Sequence, residues 1–229
     1  MFGISDSDLT ALWITLKLAV ISTTILMVLC TPLAWWLAHT RWRGKVMIEA
    51  LVAMPLVLPP TVMGFYLLVL LGPRGAVGGF LEDIGVGHLA FTFTGLVIGS
   101  MIYSLPFVVQ PLQNAFAVTG GRVLETAATL RAGPLDRFFT VVLPLARRGI
   151  LTAAVLSFAH TLGEFGMILM IGGNIPGQTQ VASIAIYDHV EAMDYASAHA
   201  LSLLLVAVAF ILLMSVYGLN RRFKVVGVV

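Results

Sequence analysis

The chain has 229 residues, 59% hydrophobic and only 10% charged, with a formal net charge of +2 and a mean hydropathy of +0.99. Soluble domains carry about 25% charged residues, so this composition excludes a water-soluble fold and makes the bilayer the solvent. The one cysteine, Cys30, excludes an internal disulfide framework or a cysteine-built metal site. It reads as a small packing residue within an apolar run.

A spanning helix needs about 20 mainly apolar residues. Five stretches qualify: 9–38, 50–71, 91–116, 150–171 and 198–219. The first opens with Asp6 and Asp8 rather than a basic segment, so a cleaved signal peptide is not expected. It is long enough to begin as an interfacial helix before Lys17. The second contains Pro55, Pro59 and Pro60, and the third contains Pro106 and Pro111. Each proline removes a backbone donor and bends or breaks its helix. The freed carbonyls must then find partners inside the protein or in a wet cavity. The stretch 181–190 is too short to span and reads as interfacial or re-entrant.

Arg41, Arg43 and Lys45 follow the first span; Arg122, Arg131, Arg137, Arg147 and Arg148 lie in the loop 119–149; Arg221, Arg222 and Lys224 end the chain. That leaves only Lys17 and Arg74 of the thirteen basic residues. The segment 172–197 carries Asp188, Glu191 and Asp194 and no Lys or Arg. The positive-inside rule then predicts an extracytoplasmic N-terminus and a cytoplasmic C-terminus.

The loop 119–149 interrupts the apolar pattern most strongly. Gly120 and Gly121 end the third span, and 123–132 reads as a short helix. Gly133 is expected as its left-handed stop. Pro134 can start a second helix, with Asp136 near its positive end. Phe138, Phe139, Val141, Val142 and Leu143 form an apolar run up to Pro144. Such a hairpin can grip a soluble partner, or it can pack back on its own bundle or lie in the headgroups, and physics alone leaves these readings open.

Glu164 is the one acidic residue well inside a predicted span, and intramembrane carboxylates are functional candidates. Its role reads as structural or gating. His160, four residues earlier, shares its helix face and reads as its hydrogen-bonding partner. The other histidines, His39, His88, His189 and His199, show no ligand spacing. GGRVLET lacks the Lys-Ser/Thr ending of a P-loop, so no ATPase is expected in this chain. Few basic residues reach membrane depth, so a polar path here would rest on hydroxyls, with Thr61, Ser104, Ser157 and Thr161 as candidates.

Glu125, Ala127 and Ala128, then Gly133 and Val142-Leu143-Pro144, resemble the loop that couples ABC importer permeases to their ATPases. Thr126 stands where an alanine is usual, and Arg131 where the motif glycine is usual. The run from Leu56 through Pro59-Pro60-Thr61 to Tyr66, with Leu71-Gly72-Pro73-Arg74-Gly75, is similar to the molybdate branch of that family. So is Gly173-Asn174-Ile175-Pro176-Gly177-Gln178-Thr179 with Ile186-Tyr187. Leu162-Gly163-Glu164-Phe165-Gly166 is shared with sulfate permeases.

The resemblance implies an all-α integral membrane protein of the type I ABC importer permease fold, with about five spans in one transmembrane domain. It sits multi-pass in the bacterial cytoplasmic (inner) membrane. It implies a homodimer, two cytoplasmic ABC ATPase subunits and an extracytoplasmic molybdate-binding protein. Expected ATPase-docking residues are Glu125, Ala127, Ala128, Leu130, Gly133, Leu135 and Phe138. Expected pathway or gate residues are Pro59, Pro60, Thr61, Ser104, Thr161 and Glu164. No catalytic residue, metal, cofactor or nucleic-acid partner is expected, only contact with membrane lipid; ATP and Mg belong to the partner ATPase. The cargo reads as molybdate or tungstate, with sulfate or thiosulfate as the alternative. A secondary transporter or an intramembrane enzyme built on Glu164 and His160 is a more distant alternative; no inverted repeat is evident.

Overall fold

The computed structural model describes residues 4–119 and 121–222 and is all-helical. Five of its helical segments are long and apolar enough to cross a membrane. Helix α1, Asp6–His39, starts from a capping box in which Ser5 and Asp8 satisfy each other's backbone donors. It is one continuous helix from Asp6 through Lys17 to His39, and Pro32 is accommodated within it.

The second predicted span is two helices, α2 (Lys45–Val57) and α3 (Pro60–Leu71). They part at Leu58 and Pro59, both in extended backbone. Pro60 at the first helical position starts α3 without losing a bond. A short helix that the sequence reading missed, α4 (Ala76–Asp83), follows at the same end. Helix α5, Phe93–Val118, is capped by the Thr92 hydroxyl, which accepts from the Gly95 amide at 3.0 Å.

After the hairpin α6 (Gly121–Thr129) and α7 (Pro134–Arg137), a π-turn at Phe138–Val142 leads into α8 (Leu143–Leu162). The fourth predicted span also breaks. α8 stops at Gly163, and the chain restarts as α9, Gly166–Gly172. Helix α10 (Ala182–Glu191) lies where the short sixth stretch was expected, and α11 (Tyr195–Arg222) is the last long helix.

α5 is the central helix, packed against α1, α8, α2 and α9. Close approach is set by glycine. A Cβ on Gly149 would lie 2.2 Å from the Ala115 Cβ, so α5 and α8 can meet there only without a side chain. A Cβ on Gly64 would lie 2.7 Å from the Met170 Cβ at the contact between α3 and α9. The interior has two apolar clusters. One, at the basic end, includes Leu26, Cys30, Leu37, Val108, Leu112, Phe116 and Val142. The other, at the acidic end, includes Leu18, Leu67, Leu96, Met167, Ile168 and Ile171. In sequence position along α1, α5 and α8, the buried polar residues Ser22, Thr23, Ser100, Ser104, Ser157, Thr161 and Glu164 fall between those clusters.

The acidic end is tied together by polar contacts. The Ala182 amide donates to the Thr15 hydroxyl at 2.7 Å, fixing α10 on α1. His189 Nε2 lies 2.8 Å from Asp8 Oδ1, and Asp8 is buried. The amides of Leu89 and Phe91 donate to the carbonyls of Leu71 and Ile171, so the loop before α5 holds the ends of α3 and α9.

Candidate functional site

Breaks in α2/α3 and α8/α9 place two irregular stretches of backbone beside α5. Between them lies a cavity of about 370 Å³, lined by Pro60, Thr61, Tyr103, His160 and the stretch Gly163–Gly166. No Lys or Arg lines it. Irregular backbone at membrane depth is tolerated where it lines such a cavity.

Glu164 sits at the break, only 5% exposed. Among the described residues no Lys or Arg pairs with its carboxylate, which is held by serine hydroxyls and the His160 ring. The Ser100 hydroxyl donates to Oε2 at 2.5 Å, and the Ser104 hydroxyl lies 3.3 Å from Oε1. His160 Nδ1 is 3.4 Å from Oε1 and 2.9 Å from the Ser104 oxygen. Thr161 and Ser104 are 3.1 Å apart. The Ser183 hydroxyl donates to the Glu164 backbone carbonyl at 2.5 Å, linking the break to α10. The His160 ring stacks on Phe107, with centroids 4.1 Å apart, and tilts against Tyr103 at 4.8 Å. One network therefore fastens α5, α8, the break and α10 together.

Of the six expected pathway residues, Pro60, Thr61 and Glu164 line the cavity together. Ser104 and Thr161 are buried; Ser104 bonds the Glu164 carboxylate, and Thr161 bonds Ser104. Pro59 is the residue before α3 and does not line the cavity. Ser157 bonds instead to Thr23 of α1, at 3.4 Å. Ser100, Tyr103 and Phe107 were missed by sequence reasoning. The signal for Ser100 was its spacing of four from Ser104, which puts both hydroxyls on one face of α5.

At the basic end, the hairpin turns differently from expectation. Gly133 is not the left-handed stop: it is extended, at φ −69° and ψ 164°. The residue before a proline is driven to extended backbone by the proline ring, and Pro134 imposes this on Gly133. Arg131 takes the left-handed conformation instead, at φ 61°. The Ala132 amide then donates to the Ala127 carbonyl at 3.2 Å, the six-to-one bond of a Schellman cap. Arg131 thus occupies both the usual glycine position of the motif and the backbone region that favours glycine. Left-handed backbone costs a residue with a Cβ about 1–2 kcal/mol. Arg131→Gly is expected to stabilise the hairpin by up to about 1 kcal/mol, and Arg131→Val to weaken it. Hydrogen exchange at the Ala132 amide reads this directly; faster exchange in Arg131→Gly than in wild type would contradict it.

Leu130 and Leu135 are 79% and 75% exposed, and Glu125 is exposed. Ala127 is half-buried. Phe138, expected among the docking residues, turns inward. It packs edge-on to Trp35 at 5.5 Å and against Phe116 at 6.2 Å. Phe138 and Val142, four residues apart and so on one face, join the core while Phe139 stays outside. The side chains of Arg122, Ala128, Arg221 and Arg222, together with Gly120 and Lys224, lie outside the described residues. Among the described residues no group of three or more His, Cys, Asp or Glu could hold a metal ion.

Residues 30–225 match the family described as the binding-protein-dependent transport system inner membrane component. The chain belongs to that family. The molybdenum transport system permease protein ModB of Azotobacter vinelandii is 59% identical over 221 residues, covering 96% of this chain and 97% of that one. The ModB of Escherichia coli K12 is 34% identical, covering 82% of each chain. The sulfate transport system permease protein CysT of Salmonella typhimurium is also 34% identical, over 85% of this chain and 71% of its own. Among solved structures, a bacterial ABC transporter that imports the acidic polysaccharide alginate aligns with a TM-score of 0.81 at 18% identity. That alignment covers 96% of this chain and 81% of the other. The MetNI methionine ABC transporter, in inward-facing form, aligns at 0.71 and 17% identity, over 96% and 99%. The fold of this permease is that of the ABC importer membrane subunits, and the chain is a multi-pass membrane protein of a transport family.

Proposed function

We propose that this permease is the membrane-spanning subunit of an ATP-driven importer of molybdate, working as a homodimer in the cytoplasmic membrane. The observation that carries the cargo is the 59% identity with a molybdenum permease over nearly the full length of both chains, against 34% for the sulfate permease. The basic end, with the α6–α7 hairpin, faces the cytoplasm and receives two ATPase subunits, which hold ATP and Mg. The acidic end receives the anion from a binding protein. The chain makes and breaks no covalent bond.

The cavity at the two helix breaks suits such a conduit. A dianion passing Thr61 and the backbone of Gly163–Gly166 meets dipoles rather than fixed cations, so it is held weakly and released. The Glu164 carboxylate is engaged by Ser100, Ser104 and His160 rather than by the cargo. This carboxylate organises the hydroxyl network that keeps both breaks in register. ATPase closure, transmitted through the hairpin into the π-turn and α8, moves the end of α8 where that network sits.

The test is uptake in vesicles carrying the permease with an ATPase and a binding protein encoded beside it. Molybdate uptake is expected to depend on ATP, to be competed by tungstate, and to persist under a large excess of sulfate. Sulfate uptake at a comparable rate would overturn the cargo assignment, and uptake without the ATPase would overturn the mechanism.

A further inference from the structure

Seven carboxylates, those of Asp6, Asp8, Glu82, Asp83, Asp188, Glu191 and Asp194, gather at the acidic end, yet Lys17 pairs with none of them among the described residues. Its ammonium instead lies 4.6 Å from the centroid of the Phe93 ring, an attraction that leaves the charge unneutralised. Lys17 lines a second cavity of about 370 Å³, formed where α1 meets the start of α5 and the loop after α9. Thr10, Trp13, Thr92, Phe93 and Gln178 also line it, and no Asp or Glu does.

The donors available there can be counted. The Thr10 hydroxyl donates to the Asp6 carbonyl, and the Thr92 hydroxyl to the Leu89 carbonyl, so both are committed within their own segments. The Lys17 ammonium, the Trp13 indole N–H and the Gln178 carboxamide are left. An ammonium and an indole are donors only. One cation, three donor groups and no carboxylate make a site for a negatively charged acceptor with several oxygens.

Its depth narrows the choice. Lys17 and His39 are separated by about 33 Å along α1 at 1.5 Å per residue, close to the roughly 30 Å of a bilayer's hydrocarbon core. With His39 at one boundary, Lys17 stands at the other, at the level of phospholipid phosphates, with the exposed Trp13 ring in the usual interfacial position for tryptophan.

We propose that this cavity binds a tetrahedral oxyanionic group, either the phosphate of an anionic phospholipid headgroup or a free oxyanion, through Lys17, Trp13 and Gln178. The site lies at the acidic end, apart from the cavity at the helix breaks, and Lys17 precedes the residues matched by the family. Its occupancy does not depend on which anion the chain transports.

The experiment uses the full chain in neutral detergent and follows the thermal midpoint at constant ionic strength. The probes are sodium molybdate, phosphatidylglycerol in mixed micelles, and phosphatidylcholine as the zwitterionic control. Phosphatidylglycerol, molybdate or both should raise the midpoint, whereas phosphatidylcholine should not. A response to phosphatidylglycerol alone assigns the site to lipid, and one to molybdate alone assigns it to a free anion. Lys17→Gln should weaken the apparent affinity by about tenfold or more, the loss of one charge-assisted contact. Lys17→Arg should keep most of it, and Trp13→Phe should weaken it several-fold without a change of charge. The proposal is overturned if neither anionic probe stabilises the wild type, or if Lys17→Gln responds as wild type does. Should Lys17→Gln not assemble, native mass spectrometry of the wild-type chain decides. Anionic adducts no more abundant than phosphatidylcholine adducts would equally overturn it.

Discussion

Glu164→Leu is expected to abolish transport and to destabilise the permease by about 3 kcal/mol, while Glu164→Gln keeps assembly and part of the uptake. The difference follows from donors and acceptors rather than charge alone. Leucine removes both carboxylate oxygens. The Ser100 hydroxyl, whose bond to Oε2 is its one side-chain contact, is then stranded in a site with no exposure. His160 and Ser104 keep each other, but lose the oxygen that orients them. A buried polar group left without a partner costs about 1–3 kcal/mol; Ser100 is left so, and the lost anchoring of His160 and Ser104 adds to it. Glutamine keeps one acceptor oxygen and brings an amide donor, which a serine hydroxyl can accept because it is both donor and acceptor. Its cost should be about 1 kcal/mol, with uptake reduced several-fold. The readouts are the thermal midpoint of the purified chain and ATP-dependent uptake in vesicles. A Glu164→Leu protein with wild-type midpoint and wild-type uptake would show that the network neither holds the break nor serves the gate.

How much of this site the sequence discloses depends on the kind of signal. α1, α5 and α11 each come from one long apolar run, and their existence is read from length alone. The break between α2 and α3 is announced by Pro59 and Pro60, because proline acts on its own backbone. The break after α8 is quieter. Gly163 and Gly166 lie inside an apolar run, where glycine is tolerated, so the predicted span simply continues through them. α4 escapes because Ala76–Asp83 is only eight residues long, with two glycines at its centre and two acids at its end, too short for periodicity to register. At the hairpin, left-handed backbone was expected at Gly133 on residue preference. The neighbouring proline outranked that preference, and Arg131 took the strained position. Phe138 shows a different limit. Its side chain faces the core because that face of the hairpin docks on Trp35 and Phe116, and neither composition nor a helical period says which face of a short apolar run will dock. The partners of Glu164 lie on α5, some 60 residues away in sequence. The carboxylate could be singled out from its position in a span, but its hydroxyl donors look like ordinary packing serines until the helices are docked.

Glu125→Lys is expected to uncouple the permease while leaving the bundle intact. Glu125 lies on α6, which packs mainly on the neighbouring α7 rather than on the long helices. Glu125 itself is exposed. Changing it therefore removes no core contact, and insertion and thermal midpoint should stay at wild-type values. Its effect should appear only when the hairpin meets its ATPase. A reversed charge at a complementary contact costs several kcal/mol, which is a loss of more than about 100-fold in affinity. Recovery of the ATPase on co-purification should fall accordingly, or uptake should be lost despite recovery. Glu125→Gln removes the charge without reversing it and should cost about tenfold. Leu130→Ala and Leu135→Ala, which truncate the most exposed apolar residues of the hairpin, should weaken association without altering the net charge. Binding-protein docking uses the other end of the molecule and should survive in all four variants. A reporter fused after Arg131 should read cytoplasmic in wild type and in Glu125→Lys alike. Wild-type transport by Glu125→Lys, with normal ATPase recovery, would show that force enters this permease through some surface other than the α6–α7 hairpin.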